Sequence, residues 1–114
     1  MAADGAGQRT VRLSNGTSMP LLGLGTGPPW SAKGDAAASV RAALSCGYRH
    51  IDAAPVYGNE AEVGEAIGAS LRELGLSRSA IFVTSKLFNS EHDPANVRAA
   101  CEATLADLRL DYLD

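Results

Sequence analysis

Apolar side chains recur with helical spacing in three segments of the chain, residues 35–46, 60–74 and 93–108. A repeat of three to four positions is typical of amphipathic helices. The apolar faces predicted for these helices are, in order, Ala36, Val40, Ala43 and Leu44; Val63, Ala66, Ile67, Leu71 and Leu74; and Val97, Ala100, Cys101, Leu105 and Leu108.

A short apolar run precedes each predicted helix. These runs cover residues 21–27, 48–52 and 81–87, and the third is β-branched and aromatic, as in a strand covered on both faces. Strand and helix therefore alternate three times, which predicts a parallel sheet in an α/β fold.

An antiparallel hairpin is predicted ahead of the sheet. Residues 11–13 and 19–21 flank Asn15-Gly16, which is the strongest short hairpin signal. Residues 1–9 are small, polar or glycine-rich, and we expect them to be disordered. Residues 10–114 contain no linker or change of composition, so we expect one structural unit that breaks off where a fourth strand approaches.

The predicted helices have recognisable ends. Asn59 has the character of an N-cap and is followed three positions later by Glu62, an Asn-led analogue of the capping box. Gly75 ends the second helix, while Asp93 and Pro94 are suited to the cap and first turn of the third.

Composition alone excludes little, and the charge pattern is that of an ordinary protein surface. The chain has 114 residues, is 46% hydrophobic and carries a net charge of −3. Its Lys and Arg residues are scattered, so we expect neither a nucleic-acid partner nor a membrane surface. No secretory leader is recognisable, and we expect a cytoplasmic protein. Cys46 and Cys101 lack zinc-ligand spacing and are predicted to be buried free thiols, with no metal site.

The glycine-rich run 23–27 suits a buried strand that ends in a loop where the backbone approaches a ligand closely. A dinucleotide-binding fingerprint starting at Gly23 would require glycine at position 28, which is Pro28. Pro28 and Pro29 also prevent a helix from opening there, so this fingerprint is not met.

Three side chains of complementary chemistry lie at predicted strand ends. Asp52 ends the second strand, Tyr57 lies in the loop behind it, and Lys86 lies near the end of the third strand. Carboxyl ends of parallel strands share one edge, where ligands bind. An ammonium at about 4 Å favours a phenolate by up to roughly 4 kcal/mol at an effective dielectric near 20. A carboxylate keeps that ammonium charged, so the three groups together form a general acid for a carbonyl oxygen.

Each residue also has an ordinary structural explanation. Asp52 can cap a turn, Tyr57 can pack on Pro55, and Lys86 can be a solvated lysine at a strand end. These explanations are weaker for the three residues together, because all three are predicted to lie at adjacent strand ends.

Three motifs resemble the aldo-keto reductase family: GYRHIDAAPVYGNE at residues 47–60, VTSKL at 83–87 and LRLDYLD at 108–114. The resemblance runs from about Val11 to the last residue. It implies the N-terminal part of a (β/α)8 TIM barrel, with the hairpin closing its bottom and about three βα units present.

The resemblance also implies NADPH-dependent reduction of a small-molecule aldehyde or ketone to an alcohol, in a monomeric parent enzyme. By position, it makes Tyr57 the proton donor, Lys86 the group that promotes loss of that proton, and Asp52 the partner of Lys86. The residues implied to lie beside the cofactor are Gly23, Leu24, Gly25, Thr26, Gly27 and Asp52, and those implied to border the substrate are Trp30, Tyr57 and Phe88.

The chain departs from the family pattern in three places. The family's catalytic histidine follows the last of these motifs, and neither His50 nor His92 occupies that position. The aromatic residue after Gly-Thr is replaced by residues 27–29, and the tryptophan after Lys-Leu is Phe88. The loops that hold most of NADPH in the family also lie outside the part that this chain resembles. We therefore expect weak NADPH binding and no turnover by these residues alone. A non-catalytic binding fragment or subunit and a small doubly wound nucleotide-binding domain remain as alternatives.

Overall fold

The chain forms a hairpin and then three parallel strands that alternate with three helices. The structure is a computed structural model and describes residues 7–114. Its strands are β1 (Thr10–Arg12), β2 (Ser18–Pro20), β3 (Leu24–Gly25), β4 (His50–Asp52) and β5 (Phe82–Thr84). Its helices are α1 (Asp35–Ser45), α2 (Glu60–Leu74) and α3 (Pro94–Leu108). The predicted hairpin, alternation and third-helix cap are confirmed, since Asp93 Oδ1 accepts a hydrogen bond from Ala95 N.

The three central strands lie side by side in the order β3-β4-β5, and both pairings are parallel. Gly25 is opposite Asp52, and Asp52 is opposite Thr84. The carboxyl ends of all three strands therefore stand at one edge. Asp114 N donates to Val83 O at 3.0 Å, so residue 114 lies beside β5.

The hydrophobic core lies between the sheet and the helices. Its fully buried members are Val40, Leu44, Ile51, Val63, Ile67, Val83 and Leu108. The faces predicted for α1 and α2 point into this core, because their apolar periodicity matches the one side that each helix turns to the sheet. Ile81, Phe82 and Val83 are all buried, as expected for a strand covered on both faces.

The hairpin packs beside the amino-terminal end of β4. His50, the first residue of β4, has Nδ1 3.0 Å from the carbonyl oxygen of Pro20 and Nε2 3.1 Å from Thr84 Oγ1. The hairpin is thus at the end of the sheet opposite to Asp52. A Cβ added to Gly23 would come within 3.0 Å of the His50 ring, so glycine is needed for this close approach.

The predicted disordered segment, residues 1–9, falls mostly outside the described residues, which begin at Gly7. Within it, Gln8 Nε2 donates to the carbonyl oxygen of Gly47 at 2.7 Å, and the Arg9 carbonyl accepts from Leu21 N at 2.9 Å.

The first strand is shorter than predicted. The pattern of residues 21–27 predicts a buried strand that ends in a loop, but Leu21 and Leu22 are more than half exposed and β3 contains two residues. The reason is that the chain is still leaving the hairpin at Leu21, whose N–H bonds to Arg9 instead of joining the parallel ladder.

The predicted capping box of α2 is wrong. Asn59 occupies the N-cap position but makes no side-chain hydrogen bond to its own helix. Its Nδ2 donates to Thr26 O at 2.8 Å, and Glu62 Oε1 accepts from Ala37 N at 3.1 Å. Both side chains serve contacts between elements, which a local motif does not specify.

The predicted burial of both thiols is also wrong, since Cys46 and Cys101 are exposed. Cys46 follows the last residue of α1, past the face that packs on the sheet. On α3 the predicted apolar face is largely exposed, with Val97 41% exposed and only Thr104 and Leu108 buried. The helix packs on α2 and on the short turn Asn89–Glu91, and these contacts leave Val97 and Cys101 exposed.

Residues 7–114 contain neither a membrane-spanning helix nor a group of side chains suited to a metal ion. None of the helices in that range has the length and apolar composition needed to cross a bilayer. Those residues also contain no cluster of three or more His, Cys, Asp or Glu side chains placed to hold a metal ion.

Candidate active site

Asp52 and Lys86 form an ion pair at the carboxyl edge of the sheet. Lys86 Nζ lies 2.8 Å from Asp52 Oδ1 and donates a second hydrogen bond, 3.0 Å long, to the carbonyl oxygen of Ala53. Asp52 ends β4 and Lys86 follows the end of β5 by two residues, so the parallel pairing of these strands makes the contact possible. The two residues that the strand pattern predicted to converge do so.

The pKa of Lys86 reflects opposing effects. Partial burial, the largest effect, acts to lower the pKa of Lys86, but the hydrogen bond and negative charge of Asp52 raise it, and Tyr57 adds smaller contributions in the same direction. The raising effects prevail, so the pKa of Lys86 lies above its ordinary value. Lys86 is therefore a cation at neutral pH.

Tyr57 stands over this ion pair. It ends a single 3-10 turn, Pro55–Tyr57, that follows β4 and leads into α2. Lys86 Nζ lies 5.2 Å from the centroid of the Tyr57 ring. A Cβ added to Gly27 would come within 2.9 Å of Cε1 of this ring, so the absence of a side chain at Gly27 lets the ring lie against the loop. Asp52, Tyr57 and Lys86 thus share one edge of the sheet.

The glycine-rich loop after β3 is tied to β4. Both the N–H and the hydroxyl of Thr26 donate to the carbonyl oxygen of Asp52, at 3.1 and 2.9 Å, and the Thr26 side chain is buried. Leu24 packs against the core, whereas Gly25 is exposed and has open space where a Cβ would lie. Gly25, the last residue of β3, therefore leaves its backbone accessible beside Asp52.

The two other aromatic residues expected near the substrate, Trp30 and Phe88, are both exposed. Trp30 is 83% exposed, and Phe88, 42% exposed, lines a hollow of about 370 Å³ with Pro55 and Glu60. Within residues 7–114 neither ring stacks on Tyr57. His50 lies at the opposite end of β4 from Asp52 and His92 is exposed, so neither joins the Asp52–Lys86 pair.

Sequence reasoning missed Glu60, a buried carboxylate beside the site. Glu60 is the first residue of α2 and is only 5% exposed. It accepts hydrogen bonds from Ser85 Oγ at 2.7 Å and Thr104 Oγ1 at 3.1 Å. Burial raises the pKa of Glu60, an effect opposed by those hydrogen bonds and by the charge of Lys86, and Asp107 raises it further. In the sequence, Glu60 has the position of an ordinary acid in the first turn of a helix, which normally faces solvent. Its burial and its partners therefore could not be predicted from that position.

Replacing Asp52 with asparagine is expected to lower the pKa of Lys86 below its ordinary value. Burial remains in this variant while the negative charge that keeps the ammonium ionised is lost. In the native chain, the stability contributed by this ion pair is present below the unfolded pKa of about 10.4 and is lost as pH rises through the raised folded pKa.

This prediction is checked by following lysine side-chain nitrogens by NMR as pH is raised. The chain contains two lysines, and Lys33, which is exposed, provides an internal reference. A Lys86 pKa that is the same in Asp52→Asn and in the native chain would contradict the assigned partnership.

Comparison with known proteins shows which family this chain resembles. The family model described as Aldo/keto reductase family matches residues 21–114. Aldo-keto reductase family 1 member A1-A of Danio rerio is 54% identical over 107 residues, which are 92% of this chain and 32% of that protein. D/L-glyceraldehyde reductase of Hypocrea jecorina is 52% identical over 108 residues, with similar coverage of 93% and 32%. The chain thus spans about a third of the length of these relatives.

Solved structures give the same result. The aldose reductase of Schistosoma japonicum superposes with a TM-score of 0.88 at 51% identity, covering 93% of this chain and 35% of that one. The aldo-keto reductase of Bombyx mori in complex with NADP superposes with a TM-score of 0.87 at 35% identity, covering 94% and 36%. The hairpin and the three strand-helix units therefore correspond to part of a TIM barrel, and the chain belongs to the aldo-keto reductase family.

Proposed function

We propose that this chain supplies the proton-donating part of an NADPH-dependent reductase that converts an aldehyde or ketone to an alcohol. The observation that carries the proposal is the Lys86 ammonium, held 2.8 Å from Asp52 and 5.2 Å from the Tyr57 ring centroid at the carboxyl edge of the sheet. Membership of the aldo-keto reductase family supports the reaction class.

The described residues fit the nicotinamide end of such a cofactor. Lys86 occupies Oδ1 of Asp52, and the hydrogen bonds of the described residues leave Oδ2 available to accept from a ribose hydroxyl. Gly25 is paired with Asp52 in the sheet, and the space that a side chain at Gly25 would fill is empty of protein atoms. Gly25 and Asp52 would hold the cofactor there, and Thr26 would keep these two strand ends together.

Tyr57 is the proposed proton donor. A phenol ordinarily holds its proton too tightly, with a pKa of about 10, to release it near neutrality. The adjacent ammonium of Lys86 stabilises the phenolate left after transfer, and Asp52 keeps that ammonium charged. When bound, NADPH supplies the hydride to the carbonyl carbon, while the carbonyl oxygen takes the proton from Tyr57.

This function is tested in a chimera in which this chain replaces the matching third of the D/L-glyceraldehyde reductase of Hypocrea jecorina. Loss of NADPH absorbance in the presence of glyceraldehyde is the measurement. We expect turnover within about tenfold of the relative's own, because 52% identity over these residues should keep the reacting groups in place, whereas a misplacement of about 1 Å can cost roughly 10²-fold in rate.

The control is the relative itself, purified and assayed in parallel. A chimera that folds and binds NADPH but does not reduce glyceraldehyde, or any other small aldehyde that the relative accepts, would overturn the proposal and favour a binding role. The isolated chain is expected to give no turnover in the same assay.

A further inference from the structure

Glu60 is buried at a position where an acidic residue normally faces solvent. Acidic residues in the first turn of a helix interact favourably with its dipole from the surface. Glu60 is instead 5% exposed, and a carboxylate is seldom buried unless its oxygens are hydrogen-bonded. Ser85 and Thr104 supply one hydrogen bond to each oxygen.

The bond from Ser85 connects Glu60 to the backbone that carries Lys86. The ladder between β4 and β5 ends where Ala53 N donates to Thr84 O at 2.8 Å. Ser85 and Lys86, which follow Thr84, therefore lie beyond the ladder. Ser85 Oγ, 2.7 Å from Glu60 Oε2, fixes the chain immediately before Lys86. From there Lys86 reaches across to β4.

Asn59, the residue before Glu60, makes a similar hydrogen bond to the loop after β3. Asn59 Nδ2 donates to the carbonyl oxygen of Thr26, and the hydroxyl of Thr26 donates to the carbonyl oxygen of Asp52. Asn59 and Glu60 are consecutive, and the Asn59 side chain makes no capping hydrogen bond to its own helix. The start of α2 thus holds the loops after β3 and β5 on either side of Asp52.

We propose that Glu60 is a positioning residue that, through Ser85, holds the backbone of Lys86 so that the ammonium stays against Asp52 and Tyr57. The role of this contact in catalysis rests on the proposed reductase function. Thr104 anchors the other oxygen of Glu60 to α3, so that the carboxylate does not turn away from Ser85.

The test uses three substitutions in the chimera. Glu60→Ala and Ser85→Ala each remove the same hydrogen bond from opposite sides, whereas Glu60→Gln keeps an acceptor and a donor in place. We expect each alanine variant to lower kcat by about 10- to 100-fold with little change in KM, because the reacting groups are misplaced while binding remains. We expect Glu60→Gln to restore most of the rate.

The double variant and a neighbouring acid provide the controls. Glu60→Ala combined with Ser85→Ala should lose no more than Glu60→Ala alone, because the Ser85 hydroxyl acts through its hydrogen bond to Glu60. Glu65→Ala, on the same helix but exposed, should keep the parent kcat. Additive losses, or a Glu60→Gln variant as slow as Glu60→Ala, would overturn the positioning role.

A second measurement separates this inference from the reductase function. In the full 114-residue chain, the NMR titration of Lys86 should show a lower pKa in Ser85→Ala than in the native chain, with Lys33 unchanged. Ser85→Ala removes a single hydroxyl, so it also covers the case in which Glu60→Ala does not fold. An unchanged Lys86 titration in Ser85→Ala would refute the inference even if the chimera has no activity.

Discussion

Replacing Tyr57 with phenylalanine is expected to lower kcat of the chimera by about 10²- to 10⁴-fold, the usual contribution of a general acid. The variant keeps the ring that lies against Gly27 and removes only the hydroxyl. Because the glycine loop and Asp52 are unchanged, binding of NADPH should remain within about twofold of the parent, since only a group acting on the reacting carbonyl has been lost. The measurements are steady-state kcat with glyceraldehyde and fluorescence titration with NADPH.

The matched control is another tyrosine. Tyr48→Phe removes a hydroxyl from a residue that precedes β4, at the end of the strand away from Asp52, and should keep the parent kcat. Equal kcat in Tyr57→Phe and the parent would mean that another group delivers the proton. The proposed reaction would then need a different acid.

Replacing Gly64 with alanine is expected to lower the free energy of unfolding of the chain by about 1–3 kcal/mol, the usual effect of overfilling a packed interior. Gly64 lies on α2 where this helix contacts Leu108, the last residue of α3. A Cβ there would overlap the carbonyl group of Leu108, which belongs to backbone and cannot rotate away like a side chain. The helices must therefore move apart, which also displaces Thr104 from Glu60.

The control for this effect is Gly68, one turn further along the same helix. A Cβ on Gly68 would lie 3.5 Å from the flexible end of Arg72, an ordinary contact. Gly68→Ala should therefore stabilise the chain by roughly 0.5–1 kcal/mol, because alanine is the better helix former. Urea unfolding of both variants measures the difference. Two variants that shift stability in the same direction would contradict the proposed helix contact.

The order of the elements could be predicted because its signals are local. The 3.6-residue periodicity placed the inward faces of α1 and α2, and Asp93 with Pro94 marked the start of α3. The Asn15-Gly16 pair marked the hairpin turn. Each of these signals depends on residues a few positions apart, which interact in the same way whatever the rest of the chain does.

The same local reasoning failed where side chains act between elements. Asn59 and Glu62 have the spacing of a capping box, yet they bond to Thr26 and to Ala37. Cys46 and Cys101 sit in apolar patterns but are exposed. A pattern shows that a face is apolar, but it does not show whether another element is there to cover it.

The sequence alone thus determined the alternation of strand and helix, and with it the convergence of Asp52 and Lys86. Parallel strands bring their carboxyl ends to one edge, so the order of elements was enough. Only the tertiary structure identified Glu60, whose partners Ser85 and Thr104 are 25 and 44 positions away in the chain. Contacts at that separation depend on how α2 docks against β5 and α3, and docking is decided by packing, which no short segment encodes.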